Sequence, residues 1–388
     1  MKKSLLLLPG PVPVAQPVLE AMAWPMINHR GAEFAEILAR LERLMKPLFG
    51  TTADVLFLGS SGTGGLEAAV TNLFDPGDRL LSVPVGVFGK RLATIATTYG
   101  CEVEMLETPL GAAADPRALA ARLAADPERR IKGVLLTHNE TSTGVQNEMS
   151  ALAEAVRAHG ALTVVDSVSG LGASRFEMDA WGFDVVVTAS QKALAAPPGI
   201  AMVAASERAW AAMERAKIAR YYFDLPLARE FARKGQTPWT PPISVFYAVA
   251  VALDRYHALG LEEQFTRHAT YARAIRAAFE ALGFTIFSRP DAHSVTVVAA
   301  EPPPGVDASA LLKLLRETYG VVLSGGQGEL TGKIVRFGTM GDVAANDILG
   351  AIGAIELALA DLGSAPRFGA GVAAASGELS ARVAAGAR

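Results

Sequence analysis

The sequence predicts an α/β fold with a mostly parallel, seven-stranded sheet in a large domain and a smaller α+β C-terminal domain. From about residue 52 to residue 205, seven short apolar runs alternate with helical patterns. Several of these runs are unbroken rather than alternating, as strands buried on both faces require. After residue 240 the texture changes to two long helical stretches, then to short strands mixed with helices.

The chain opens with Met1-Lys2-Lys3-Ser4 and four leucines, an imitation of a signal peptide. That apolar run stops at Pro9-Gly10-Pro11, too short for a secretory core or a bilayer span, so a soluble cytoplasmic protein is expected. Residues 1–21 read as an N-terminal segment and 22–257 as the large domain. Strands are expected at 54–58, 79–83, 102–106, 132–137, 161–166, 184–188 and 200–204. Helical stretches between them include 150–159 and 115–125, the latter opened by Asp115-Pro116. Long helices at 243–259 and 262–282 lead into the smaller domain, 258–362. Its strands are expected near 284–287, 294–299 and 333–337, and its helices at 307–319 and 342–361. Residues 363–388, rich in Ala, Gly and Ser, read as a poorly ordered tail.

Composition narrows the function. The 388 residues are 51% hydrophobic and 19% charged, which suits a well-buried globular enzyme and argues against disorder. Net charge is −3 with no basic stripe, so nucleic acid is an improbable partner. Cys101 is the only cysteine, which rules out an internal disulfide and a thiolate metal cluster. The six histidines show no close metal-ligand spacing, so no metal is expected.

Lys192 follows the run 184–188 directly, between apolar flanks that end in Pro197-Pro198-Gly199. Desolvation lowers a lysine's pKa and frees its amine for Schiff-base chemistry; the plainer alternative is a lysine reaching from a strand end to solvent. Asp166 ends another apolar run, where ligands of parallel α/β sheets gather. A carboxylate there can keep a pyridine nitrogen protonated, though a lone strand-end aspartate often merely caps a turn. Gly59-Ser60-Ser61-Gly62-Thr63-Gly64-Gly65 lies between a strand and a helical pattern and suits an anion, although a plain Gly-rich turn is as common. His138-Asn139-Glu140-Thr141-Ser142-Thr143-Gly144 offers hydroxyls that often serve only their own backbone. Arg336, within the apolar strand at 333–337, needs an anion: a substrate carboxylate or a structural partner.

Together these segments resemble the class V aminotransferases of fold type I, in particular the alanine–glyoxylate and serine–glyoxylate group. The resemblance runs from Pro9-Gly10-Pro11 to about Leu362. Its markers are Asn28-His29-Arg30-Gly31, Ser61-Gly62-Thr63-Gly64, Glu140-Thr141-Ser142-Thr143-Gly144, Asp166-Ser167-Val168-Ser169, Ser190-Gln191-Lys192, Pro197-Pro198-Gly199, Gly325-Gly326-Gln327-Gly328, and Gly332-Lys333 leading to Arg336. The resemblance implies pyridoxal 5'-phosphate held by Lys192, which also shuttles the Cα proton. It implies Asp166 on the pyridine nitrogen, and Ser61, Gly62, Thr63 and Gln191 on the phosphate. Phe88 matches a ring-stacking position, Thr141 a hydroxyl near the ring oxygen and the substrate, and Arg336 the substrate-carboxylate clamp. It implies a homodimer with shared active sites, Thr240 reaching the partner's phosphate. Asn28–Gly31 is expected near the substrate entrance. The implied reaction is ping-pong transamination between a small amino acid, such as alanine or serine, and a 2-oxo acid, glyoxylate or pyruvate.

Rival readings remain on the same scaffold: a decarboxylase or lyase, or an aminotransferase specific for aspartate or ureidoglycine. A cysteine desulfurase is disfavoured, because Cys101 sits at a strand start rather than in a loop. Relatives labelled as a soluble hydrogenase subunit would need a metal cluster that one cysteine cannot hold. An NAD-dependent oxidoreductase is disfavoured by the missing G-x-G-x-x-G, and a non-catalytic binding protein by the presence of both Asp166 and Lys192.

Overall fold

The computed structural model describes residues 4–386, with side chains through 380. Residues 1–3 of the expected N-terminal segment and 387–388 of the expected tail lie outside the described residues.

All seven expected strands form one sheet. Their spatial order is Val55–Leu58, Ala201–Ala205, Val185–Ala189, Leu162–Asp166, Ile131–Thr137, Arg79–Ser82 and Glu102–Met105. Neighbours run parallel except Ala201–Ala205, which is antiparallel to both strands beside it. The unbroken apolar runs have a direct cause: alternate side chains enter different cores. Val186 joins the core under helices Ala32–Phe49 and Ile243–Leu259, while Val185 and Val187 join the one under helix Gly62–Leu73. That last helix lies so close to the sheet that a Cβ on Gly65 would sit 2.7 Å from Val187 Cγ1. Only glycine fits there.

The smaller lobe holds a four-stranded antiparallel sheet in the order Thr285–Ile286, Val297–Glu301, Val335–Gly338 and Ser324–Gly325. Helices Leu261–Ala281, Ala308–Glu317 and Ala345–Asp361 cover it. The expected division at 257/258 falls in the last turn of helix Ile243–Leu259. The N-terminal segment straps onto this lobe. Leu5–Leu6 pairs with Val321–Val322, Gly338 N–H donates to the Leu7 carbonyl (2.8 Å), and Asp342 N–H donates to the Pro13 carbonyl (2.9 Å).

One expectation needs correction. Residues 370–386, read as part of a poorly ordered tail, form a helix packed against Leu261–Ala281 and Ala345–Asp361. Small residues permit the close approach, with Ala375 fully buried and Val372 partly so. The buried Glu356 carboxylate ties down its start, accepting from the N–H groups of Gly369, Gly371 and Val372 at 2.7, 2.9 and 3.2 Å. An acceptor at a helix start satisfies donors that have no intrahelical partner.

Candidate active site

The parallel strands deliver their C-terminal ends to one edge of the sheet, and the candidate residues follow from those ends. Asp166 closes its strand, Glu140 and Thr141 follow Ile131–Thr137, Lys192 follows Val185–Ala189, Ser61 follows Val55–Leu58, and Phe88 follows Arg79–Ser82. Arg336 reaches the same place from the smaller sheet.

Lys192 sits on a tight turn. Ala195 N–H closes onto the Lys192 carbonyl (2.9 Å), Ser190 Oγ donates to the Pro197 carbonyl (2.6 Å), and Ala195 takes a left-handed φ of 53°. Such backbone is costly without glycine and collects at functional sites. Lys192 Nζ donates to the Pro9 carbonyl at 2.7 Å. Burial pushes this amine down to about 8, the nearby Asp166 carboxylate partly opposing and the Arg336 and Arg91 cations assisting. Gly10 explains the close approach: at φ 126°, a Cβ on it would lie 2.3 Å from Nζ.

Asp166 is buried, and its carboxyl is pushed up to about 6 by that burial, against the Val168 N–H that donates to Oδ1 at 3.0 Å. Oδ2 has no hydrogen bond among the described residues. Arg336 is also buried. Its Nε donates to the Gly325 carbonyl (2.7 Å) and its Nη1 to the Thr141 carbonyl (2.8 Å), with no carboxylate in ion-pair reach among the described residues. Burial lowers the guanidinium to about 10, with Glu140 opposing. The structural salt bridge considered for Arg336 is therefore not present among the described residues. Three charged groups, two buried and one partly so, converge with no direct ion pair to neutralise them. Burying charge unpaired is expensive, so the arrangement suits a ligand that supplies complementary groups.

The other candidates surround these three. Ser61 is the N-cap of helix Gly62–Leu73 but makes no side-chain cap, and the N–H groups of Gly62, Thr63 and Gly64 find no protein acceptor among the described residues. A Cβ on Gly62 would meet Val168 Cγ2 at 2.7 Å, which fixes this helix start against the strand-end loop after Asp166. Gln191 carries a buried amide oxygen with no partner. Phe88, half-buried on the first turn of helix Val87–Thr98, has the Arg91 guanidinium 4.7 Å above its ring.

Thr240 is the exception. It lies exposed ahead of helix Ile243–Leu259, next to Trp239, whose ring meets that of Tyr221 at a tilt with centroids 4.7 Å apart. Asn28–Gly31 turns toward that segment, where Arg30 donates to Gln236 Oε1 (2.9 Å) and the Pro238 carbonyl (3.2 Å).

Sequence reasoning missed several participants. Glu140 lies inside a motif whose hydroxyls carry the sequence signal, although a carboxylate three residues beyond an apolar strand is itself a usable one. Pro9 and Gly10 were markers without a role. His138, buried behind Asp166, has its rings' nitrogens 2.8 Å from Ser167 Oγ and 3.2 Å from Ser174 Oγ. Burial lowers it to about 4, so it is neutral near pH 7.

The sequence matches the family model "Aminotransferase class-V" over residues 19–339. The chain belongs to the class-V aminotransferases. It is 40% identical to the "Soluble hydrogenase 42 kDa subunit" of Anabaena cylindrica, covering 96% of this chain and 98% of that one. It is 38% identical to the L-aspartate–glyoxylate aminotransferase of Paracoccus denitrificans, covering 95% and 94%. Its fold is similar to the crystal structure of the ureidoglycine–glyoxylate aminotransferase of Bacillus subtilis, with TM-score 0.92, 28% identity and 98% and 99% of the two chains covered. This class-V chain is a pyridoxal-phosphate-dependent aminotransferase of fold type I. The residues present fit that cofactor: an amine with a lowered pKa, a buried carboxylate with one free oxygen, and uncapped N–H groups at a glycine-bearing helix start.

Proposed function

We propose that the enzyme transfers the amino group of a small amino acid, such as alanine or serine, to a 2-oxo acid, glyoxylate or pyruvate. The convergence of Lys192, Asp166 and Arg336 without direct ion-pair partners carries this reading. Both glyoxylate aminotransferases described above support the acceptor.

When bound, pyridoxal phosphate supplies an aldehyde that takes up amino groups and a ring that accepts the electron pair released at Cα. Asp166 would hold the proton on the ring nitrogen, and Lys192 would carry the cofactor and move the Cα proton with its Nζ. Ser61, Gly62, Thr63 and Gln191 would bind the phosphate, and Phe88 would pack on the ring. Thr141 would serve the ring oxygen and the substrate, while Arg336 would orient the substrate carboxylate with its planar guanidinium.

We further propose a homodimer, supported by the exposed side chains of Tyr221 and Tyr222 beside Trp239 and Thr240. Amphipathic rings exposed together favour a protein interface, and Thr240 there would reach the partner's phosphate. No described helix is long and apolar enough to cross a membrane, and we place the enzyme's work in the cytoplasm.

A half-reaction screen tests the reaction. Alanine, serine, aspartate and other donors are mixed singly with the cofactor-loaded enzyme, and the visible spectrum is followed before glyoxylate or pyruvate is added. Alanine or serine should convert the spectrum and glyoxylate should restore it. Turnover that proceeds without any 2-oxo acid, releasing carbon dioxide or ammonia, would replace transamination with decarboxylation or elimination.

A further inference from the structure

Glu140 is a fully buried carboxylate to which the reaction above assigns no step. Its Oε2 accepts from the N–H groups of Phe88 and Gly89, both at 3.0 Å. Its Oε1 accepts from Ser142 N–H (3.1 Å) and Ser142 Oγ (2.6 Å). Ser142 Oγ in turn accepts from Val87 N–H at 3.0 Å. One side chain therefore joins the first turn of helix Val87–Thr98 to the loop after strand Ile131–Thr137. The approach depends on Gly86, where a Cβ would lie 2.5 Å from both Glu140 Cγ and Ser142 Oγ.

Both tethered pieces carry site residues. The helix turn presents Phe88. The loop presents Thr141, whose carbonyl fixes Arg336 Nη1 at 2.8 Å. A simple helix cap would need only the bonds to Phe88 and Gly89. The bonds to Ser142 fix the residues on both sides of Thr141, so the direction of its carbonyl follows from where the carboxylate sits.

We propose that Glu140 is a positioning residue that holds the ring-facing Phe88 and the carboxylate-binding pair Thr141 and Arg336 in one frame, coupling the grip on cofactor to the grip on substrate. The proposal rests on the aminotransferase reading and deepens it. The bonds of the Glu140 carboxylate all go to Phe88, Gly89 and Ser142, so it acts through the backbone of both neighbours.

The test uses the full-length enzyme with Glu140→Gln. The amide keeps the shape but turns one end into a donor that faces donors, so either the Phe88 pair or the Ser142 pair loses its acceptor. Cofactor affinity of the apoprotein and donor KM should each weaken about tenfold, the scale of one hydrogen bond lost at a charged acceptor, while kcat moves less. Arg336→Lys cannot keep both carbonyl bonds, so Glu140→Gln added to Arg336→Lys should raise KM by no more than about twofold beyond Arg336→Lys alone. A drop in melting temperature with KM and cofactor affinity unchanged, or fully additive KM effects, would overturn the proposal. If Glu140→Gln fails to fold, Glu140→Asp, which keeps the charge but shortens its reach, is read in the same cycle with the same criteria. Cofactor binding by the unmodified chain separates the two claims: if that is absent the aminotransferase reading fails, and if it is present but indifferent to Glu140 only this proposal fails.

Discussion

The lowered Lys192 amine leads to a measurable pH dependence of cofactor capture. With its pKa at about 8, about a tenth of the lysine is neutral at pH 7, against about 0.04% for an ordinary lysine near 10.4. The gain in reactive amine is roughly 200-fold. The sign follows from burial, which penalises the ammonium, with Asp166 opposing and Arg336 assisting. Mixing apoprotein with pyridoxal phosphate in a stopped-flow spectrometer should therefore give a capture rate that climbs with pH and levels near 8. Asp166→Asn removes a charge that favours the ammonium, so the knee should move to lower pH. Arg336→Leu removes a cation and should move it higher. A rate that climbs steadily to pH 10, or knees that shift in the opposite directions, would refute the argument.

Further outcomes follow from the same geometry. Arg336→Ala should raise donor KM by about 100-fold, the scale of a lost charge-assisted bidentate contact, while cofactor absorbance is largely kept. Equal loss of both would mean that Arg336 supports the fold instead. Gly10→Ala should leave the cofactor mostly unlinked, because its Cβ would occupy the place of Nζ and its φ of 126° is already unfavourable for alanine. A normal borohydride-trapped fraction would contradict that. Asp166→Asn should stabilise the apoprotein above pH 6. A carboxyl raised to about 6 burdens the folded state once ionised, by up to about 3 kcal/mol, and the burden vanishes below about pH 4, where both states hold the proton. Since Lys192 also loses its counter-charge, a net gain of about 1–3 kcal/mol is expected in urea unfolding at pH 7, falling to none at pH 4. A loss at pH 7 would show that Asp166 stabilises the empty site.

The sheet was legible because burial on both faces writes itself as unbroken apolar runs. Val185–Ala189 sends alternate residues into two cores, so its three consecutive valines show no polar alternation, and even Thr188 is buried. Asp166 stood out because its charge ends such a run, and Lys192 because it comes three residues after one, between apolar flanks. What escaped the sequence depends on contacts between distant residues. Glu140 is satisfied by N–H groups about 50 positions upstream, and Gly10 matters because the fold gives it a φ of 126° and brings Lys192 against it. The final helix was misread because Ala and Gly resemble a linker until a neighbouring helix and the Glu356 carboxylate give them something to pack on. Thr240 is exposed, so nothing within one chain marks it as a site residue.

The most direct test of the central claim is borohydride reduction of the purified, cofactor-loaded enzyme followed by peptide mass analysis. The pyridoxyl mass should sit on the peptide carrying Lys192 and be lost in Lys192→Ala, together with the visible band. A pyridoxyl adduct on a different lysine, or a band that survives Lys192→Ala unchanged, would contradict the account.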